Sequence, residues 1–218
     1  TSYRYGGNNY MVSIGSGMGT TYDQRWRTDG ITHENSKIGF HDITDGSSNT
    51  VFMSEAIRSV KDDIVLPAGT PPPFNYQYTL NGSSGVSPGL NSVRGLRAGG
   101  VWSAYADSDG MVSNPDLEAI WTTFTTWRGA GSTAMRGRGV SWAATGALNT
   151  LTNGYTPPNS RTPDVVTHFT GFFGPRSWHG AGANVLIGDG SVRLLTNNIE
   201  ASIQRAMHSI DGGEAVAN

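Results

Sequence analysis

Side chains able to do chemistry fall in three places along the chain. Glu55 interrupts the nearly continuous apolar run from Thr50 to Ile57. A carboxylate on a buried strand is unfavourable unless paired, so Glu55 is expected to meet an Arg, a His or several backbone N–H groups. Together with Asp42 or Asp45 upstream it could instead supply the pair of carboxylates that glycoside cleavage needs. A second pattern is His179, nine intervening residues, then Asp189-Gly190. In the third, Asp107-Ser108-Asp109-Gly110 precedes Glu118 in twelfth place, following part of the spacing of a calcium loop that runs into a helix. Gly110 falls at position 4 rather than 6 and Met111 replaces the fifth-position ligand, so calcium on Asp107, Asp109 and Glu118 is a minor expectation.

The spacing of the second pattern argues against a shared site. If residues 183 to 188 are extended, they cover about 20 Å. His179 and Asp189 then stand too far apart to share a metal or a proton. Asp189-Gly190 reads as turn chemistry and His179 as a hydrogen-bonding residue at the strand entrance. None of the five His sits in a zinc-type motif, and neither a nucleophile elbow nor a phosphate loop is present. Catalytic candidates are therefore confined to the carbohydrate reading: Glu55, Asp42, Asp45 and His179. The same reading takes Trp26, Trp102, Trp142 and Trp178 as candidate sugar platforms. Arg136 and Arg138, separated by Gly137, could hold an anion but more simply pair with Glu55 or surface acids.

Elements must position these groups. The run Ala183 to Ile187, then Gly188-Asp189-Gly190-Ser191, then Val192 to Leu195 is written as a β-hairpin with a two-residue turn. Asp189 and Gly190 would both take positive φ, with Gly188 opposite Ser191, Ile187 opposite Val192 and Val185 opposite Leu194. Further strands are expected at Asn9 to Ile14, Thr50 to Ile57, around Val101-Trp102, and from Val165 to Phe173; Arg136 to Trp142 reads as a turn entering a strand. Asp42 or Thr44 caps a short helical turn that Gly46 breaks. Asn114, with Pro115 at the first helical position, caps a helix carrying Leu117, Trp121 and Phe124, whose Thr-rich tail frays before Gly129. Asn197 and Glu200 form a capping-box variant for a last helix, with Ile199, Ile203, Ala206, Met207 and Ile210 on one face, packed on the hairpin sheet and ended by Gly212-Gly213.

Composition narrows the class. The 218 residues fit one domain, here 1–218, with a Pro-, Gly- and Ser-rich surface excursion at about 61–96 that includes a hairpin through Phe74 to Leu80. Thirty Gly and only 15% charged residues favour strands joined by turns over helical bundles. A net charge of −2 with scattered Arg leaves no basic footprint for nucleic acid. Without Cys there is neither a disulfide framework nor a thiolate metal site. No apolar run is long enough to span a membrane, and Thr1-Ser2-Tyr3 opens directly in polar sequence, as a mature or truncated product would.

The pattern His179 to Asp189-Gly190 resembles the C-terminal H-x9-DG signature of a bacterial family of prepilin-like secreted proteins, a family of unknown function. Asp42 to Thr50 with Glu55, Arg136-Gly137 with Trp142, Pro157-Pro158-Asn159, Arg193 and Gly212-Gly213-Glu214 follow that family's order. Its members begin with a cleavage site and a long hydrophobic helix, which this sequence lacks, as it lacks the cysteines of many relatives. The resemblance implies an α+β, mainly antiparallel globular head, placed outside the cytoplasm or on the cell surface, with self-assembly or secretion partners. The alternative is a carbohydrate-binding or polysaccharide-cleaving protein; a solute-binding protein is a third.

Overall fold

The computed structural model describes residues 5–60, 63–66, 78–81, 86–90, 92–121, 133–167 and 169–213. The apolar-alternating segments form two five-stranded mixed sheets, mainly antiparallel, with few helices and long loops, an α+β fold. The first sheet has the order β12-β11-β2-β1-β8, from β1 (Tyr10–Ser13), β2 (Val51–Glu55), β8 (Leu151–Thr152), β11 (Gly182–Ile187) and β12 (Val192–Thr196). The second, β10-β9-β4-β7-β3, uses β3 (Asp63–Leu66), β4 (Tyr78–Asn81), β7 (Thr133–Gly137), β9 (Val165–Thr167) and β10 (Thr170–Phe172). A two-stranded piece pairs β5 (Ser87–Pro88) with β6 (Leu96–Arg97).

The hairpin forms one residue out of the expected register. Leu186 stands opposite Val192, Val185 opposite Arg193 and Asn184 opposite Leu194. The turn is longer than two residues: Ile187 N donates to Ser191 O (2.8 Å) and Gly190 N to Ile187 O (2.9 Å). Gly190 alone takes positive φ (+89°), while Asp189 stays right-handed and its Oδ1 accepts Ser191 N at 2.8 Å. This is the three-residue loop with a left-handed Gly in its last position. A one-residue slip exchanges faces, so Val192 and Leu194 point outward, 68% and 46% exposed, and Leu195 turns in.

The inward face of the first sheet is closed by the last helix. Val51, Val185, Ile187 and Leu195 pack with Met207, the first four from β2, β11 and β12. That helix, Ala201–His208, begins at Glu200 without a side-chain cap, because Asn197 is used elsewhere: its Nδ2 donates to Gly180 O at 2.9 Å. Its buried face carries Gln204, Met207 and His208, whereas Ile203 is 38% exposed.

Other expectations shift where long-range pairing decides. The segment 61–96 is more than a surface excursion, since it supplies β3 and β4, which flank β7 on either side. Residues 74–77 of the hairpin expected there, Phe124 and the Thr-rich tail lie outside the described residues. Residues Gly100–Tyr105 form a 3-10 helix instead of a strand and bury Trp102. Val165 to Phe173 is two strands, folded back where Thr170 Oγ1 donates to Thr167 O (2.9 Å). The strand at 133–137 precedes the Arg138 bend rather than following it. The short helical turn is a 3-10 helix at Phe40–Asp42, where Asp42 Oδ2 accepts Gly39 N from behind. The helix over 117–121 is capped by Asp116, whose Oδ1 accepts Ala119 N at 3.0 Å; Asn114 instead accepts Gly19 N at 2.7 Å.

Candidate functional site

At the end of β2 the chain places Glu55 on the outward face of the first sheet, directly across from Tyr10 of β1. Asn184 of β11 closes on it from the other side, its main-chain N–H on Oε2 (2.8 Å) and its Nδ2 on Oε1 (3.1 Å). His179 Nε2 lies 3.5 Å from Oε1, and the Ser177 hydroxyl also donates. Burial by itself would raise the Glu55 pKa, but the donors of Asn184, Ser177 and His179 outweigh it and hold the carboxyl below its ordinary value. An ionised carboxylate offers about four acceptor positions; the two Asn184 donors and the Ser177 hydroxyl fill three, and His179 stands at ion-pair distance. Glu55 is thus a clamp that ties the segment 177–179 to β2 and β11, without the Arg partner that was one of its expected choices.

The segment it holds is anchored a second time from below. Arg176 N donates to Glu55 O (2.9 Å), while its guanidinium turns into the interior, to Asp164 Oδ1 (Nη2, 2.8 Å), Ser160 O and Thr162 O. Arg138 reaches the same carboxylate at Oδ2 (2.8 Å) and lies over the Phe173 ring, 4.3 Å from its centre. All three side chains are at most 2% exposed. Burial pulls the Arg138 pKa down to about 10 against the attraction of Asp164, and the second guanidinium adds to the fall. Arg138 therefore pairs with a buried Asp, not with Glu55 or a surface acid as its sequence position suggested.

A cleft of about 440 Å³ opens beside this clamp, lined by Asn9, Tyr10, Glu55, Arg58, Trp178 and His179 among others. Tyr10 and Trp178 leave 59% and 71% of their surface in solvent. Among the described residues Glu55 is the one carboxylate lining it. Asp42 and Asp45 lie beyond the far end of β2: Asp42 accepts Gly39 N, and Asp45 accepts Gly212 N and Gly213 N at 2.9 and 3.0 Å. A five-residue strand, roughly 15 Å long, keeps them from forming a carboxylate pair with Glu55.

The chain belongs to the DUF1559 family. The family model, described as a protein of unknown function, matches residues 1–202. No curated protein and no solved structure matches the chain.

In this DUF1559 chain the remaining candidates are dispersed. His179 touches Glu55, while Asp189 sits at the opposite end of β11 in the turn, so the two do not meet. Asp107 Oδ1 accepts Asp109 N (2.9 Å) and Met111 N (2.8 Å), which makes that segment a hydrogen-bonded turn. Among the described residues no group of three or more His, Asp or Glu is arranged to hold a metal ion, Asp107, Asp109 and Glu118 included. Trp102 is 3% exposed and lies 6.3 Å from Phe172 in the core, so it offers no platform. Trp26 is partly buried, Trp142 is 63% exposed against Gly6, and Trp178 alone of the four lines the Glu55 cleft. Sequence reasoning missed Ser177, Arg58 and Asn184. Only Asn184 carried a local signal, as the one polar residue within the apolar run Ala183 to Ile187.

An apolar row crosses the same outward face, partly buried at Leu151, Val12, Met53 and Leu186 and exposed at Val192. Leu151, Val12, Met53, Leu186 and Val192 stand opposite one another in turn across all five strands. Leu194 extends the row beside Val192. Between Val51 and Met53 a bulge admits Phe52, whose ring stacks on that of Phe40 at 6.2 Å, itself 72% exposed.

Proposed function

We propose that this chain is the globular head of an extracytoplasmic, pilin- or pseudopilin-like protein that acts by assembly rather than catalysis. The observation that carries the reading is the apolar row from Leu151 to Val192. Soluble sheets that face water on one side normally alternate apolar residues inward and polar residues outward. Here the outward positions of every strand in the first sheet include an apolar side chain, as expected of a surface made to be covered. Five strands span about 19 Å, the length of roughly 13 residues of helix. An apolar helix of that length or more is the occupant this reading assigns to the row, in keeping with the prepilin-like resemblance of the His179 to Gly190 ending. The single carboxylate of the Glu55 cleft also weighs against a glycosidase, which needs two.

The absence of cysteine allows a direct test. Val192→Cys and Met53→Cys, each made singly in the full gene product, are exposed to a membrane-impermeant maleimide on the cells that produce it and again as the isolated chain. Asp109→Cys, in the exposed turn, serves as the control. The reading expects both row positions to react in the isolated chain and to be protected on cells, while the control reacts in both. Equal reaction of the row on cells would overturn the covering. An unreactive control on intact cells, with reaction after lysis, would overturn the extracytoplasmic placement.

A further inference from the structure

We propose that the cleft between Tyr10, Glu55, Arg58, Trp178 and His179 is a binding site for neutral polysaccharide, one that holds a sugar chain without cleaving it. Its volume lies within the range of small-molecule sites, about 300 to 1,000 Å³. The Glu55 clamp fixes its walls. Asn184, Ser177 and His179 converge on one carboxylate, so the backbone of 177–179, and with it the placement of Trp178 and His179, is set before any ligand arrives.

Two properties select the ligand class. First, large flat aromatic surfaces are left in water beside polar groups: Tyr10 and Trp178 at the cleft, and Trp142 outside it, where it is bonded to Gly6 upstream of Tyr10. Trp142 N donates to Gly6 O at 2.9 Å, and three residues of chain, a span of at most about 14 Å, separate Gly6 from Tyr10. Exposed aromatic faces at the cleft suit the C–H faces of sugar rings, while Asn9, Arg58 and His179 offer donors and acceptors to their hydroxyls. Second, the charge is balanced. Glu55 faces the cleft together with Arg58, and the Arg176 guanidinium is committed to Asp164. An anionic chain meets Glu55 and a cationic chain meets Arg58, so neither gains from the field. Hydrolysis is not assigned, because among the described residues the cleft has no second carboxylate. This site lies beside the apolar row, with Tyr10 and Glu55 two residues along β1 and β2 from Val12 and Met53, and its test uses the purified chain so that it is read apart from any cover on that row.

The test is affinity electrophoresis of the purified chain in native gels cast with β-glucan, xylan, galactomannan or, as the charged comparison, alginate. Retardation by at least one neutral polymer is expected, with little by alginate. Trp178→Ala and Tyr10→Ala should each weaken it about tenfold or more, and Trp142→Ala by less. Because these aromatics are exposed, the variants should melt within a few degrees of the parent, which separates lost binding from lost fold. Indifference to all three neutral polymers would overturn the proposal. So would retardation that survives Trp178→Ala, or a preference for alginate. Release of reducing ends from a bound polymer would overturn the assignment of binding without cleavage.

Discussion

Glu55 on β2 and Asn184 on β11 are joined twice, through the main-chain N–H and the amide of the same residue, at 2.8 and 3.1 Å. A side chain here takes the place that a carbonyl would hold in the ladder. Replacing it with Ala strands a partly buried N–H, so Glu55→Ala should cost about 1–3 kcal/mol in urea unfolding at neutral pH. The pH dependence has a defined sign. The folded pKa lies below the ordinary 4.5, so the contribution is complete above that value and is lost as pH falls through the folded value. Glu55→Gln should be less destabilised than the Ala variant and should lack this acid-side component. A parent and Glu55→Gln pair with parallel stability curves below pH 4.5 would show that the carboxylate is not the clamp.

His208 loses its stabilising form at a higher pH. It is fully buried on the inward face of the first sheet, its Nδ1 2.9 Å from Ser13 Oγ and its Nε2 3.4 Å from the Gln204 amide. Burial drives its pKa down from 6.5 to about 3. The unfolded chain therefore binds the proton first as pH falls below 6.5, and stability declines towards about 1.4 kcal/mol per pH unit. His208→Gln should flatten the curve between roughly pH 6 and 4.5, before the Glu55 component begins. A parent whose stability does not change across that interval would contradict a buried neutral imidazole.

The carboxylate of Asp164 is shared by two buried guanidinium groups, so removing its charge takes an ion-pair partner from both. Asp164→Asn should lose about 3–5 kcal/mol, against no more than about 0.5 kcal/mol for Asp109→Asn at an exposed turn, both read by urea unfolding. Because Arg176 is also the residue whose backbone meets Glu55 O, the Asn variant should loosen the 177–179 segment as well. Hydrogen exchange at the Arg176 N–H would report that directly.

What the sequence disclosed, and what it hid, follows from the range of the interactions. The apolar runs around Val51 and Val185, the burial conflict at Glu55 and the separation of His179 from Asp189 rest on local spacing, and each reappears in the structure. The partners of Glu55 and Arg138 could not be read, because Asn184 and Asp164 come to them through pairing between strands remote in sequence. The cleft was hidden for the same reason: Tyr10 reaches Glu55 only once β1 and β2 are antiparallel in one register. The apolar row depends on a register that composition leaves open by one residue. Asn114-Pro115 and Asn197 misled as caps because other acceptors and donors, Gly19 N and Gly180 O, claim their side chains.

That register rests on the turn, and two substitutions distinguish the alternatives. A two-residue turn with both central residues left-handed would leave Asp189→Gly neutral or stabilising, since Gly takes positive φ freely. In the observed loop Asp189 is right-handed and its carboxylate accepts Ser191 N, so Asp189→Gly removes a bond and adds backbone freedom to the unfolded chain. It should therefore be destabilising. Gly190, at φ +89°, should lose about 1–2 kcal/mol on conversion to Ala, although its Cβ position is open space, because the penalty is conformational. Urea unfolding of both variants settles the register. A destabilised Asp189→Gly keeps Val192 and Leu194 on the outward face, whereas a stabilised one returns them to the core and removes the outer end of the apolar row.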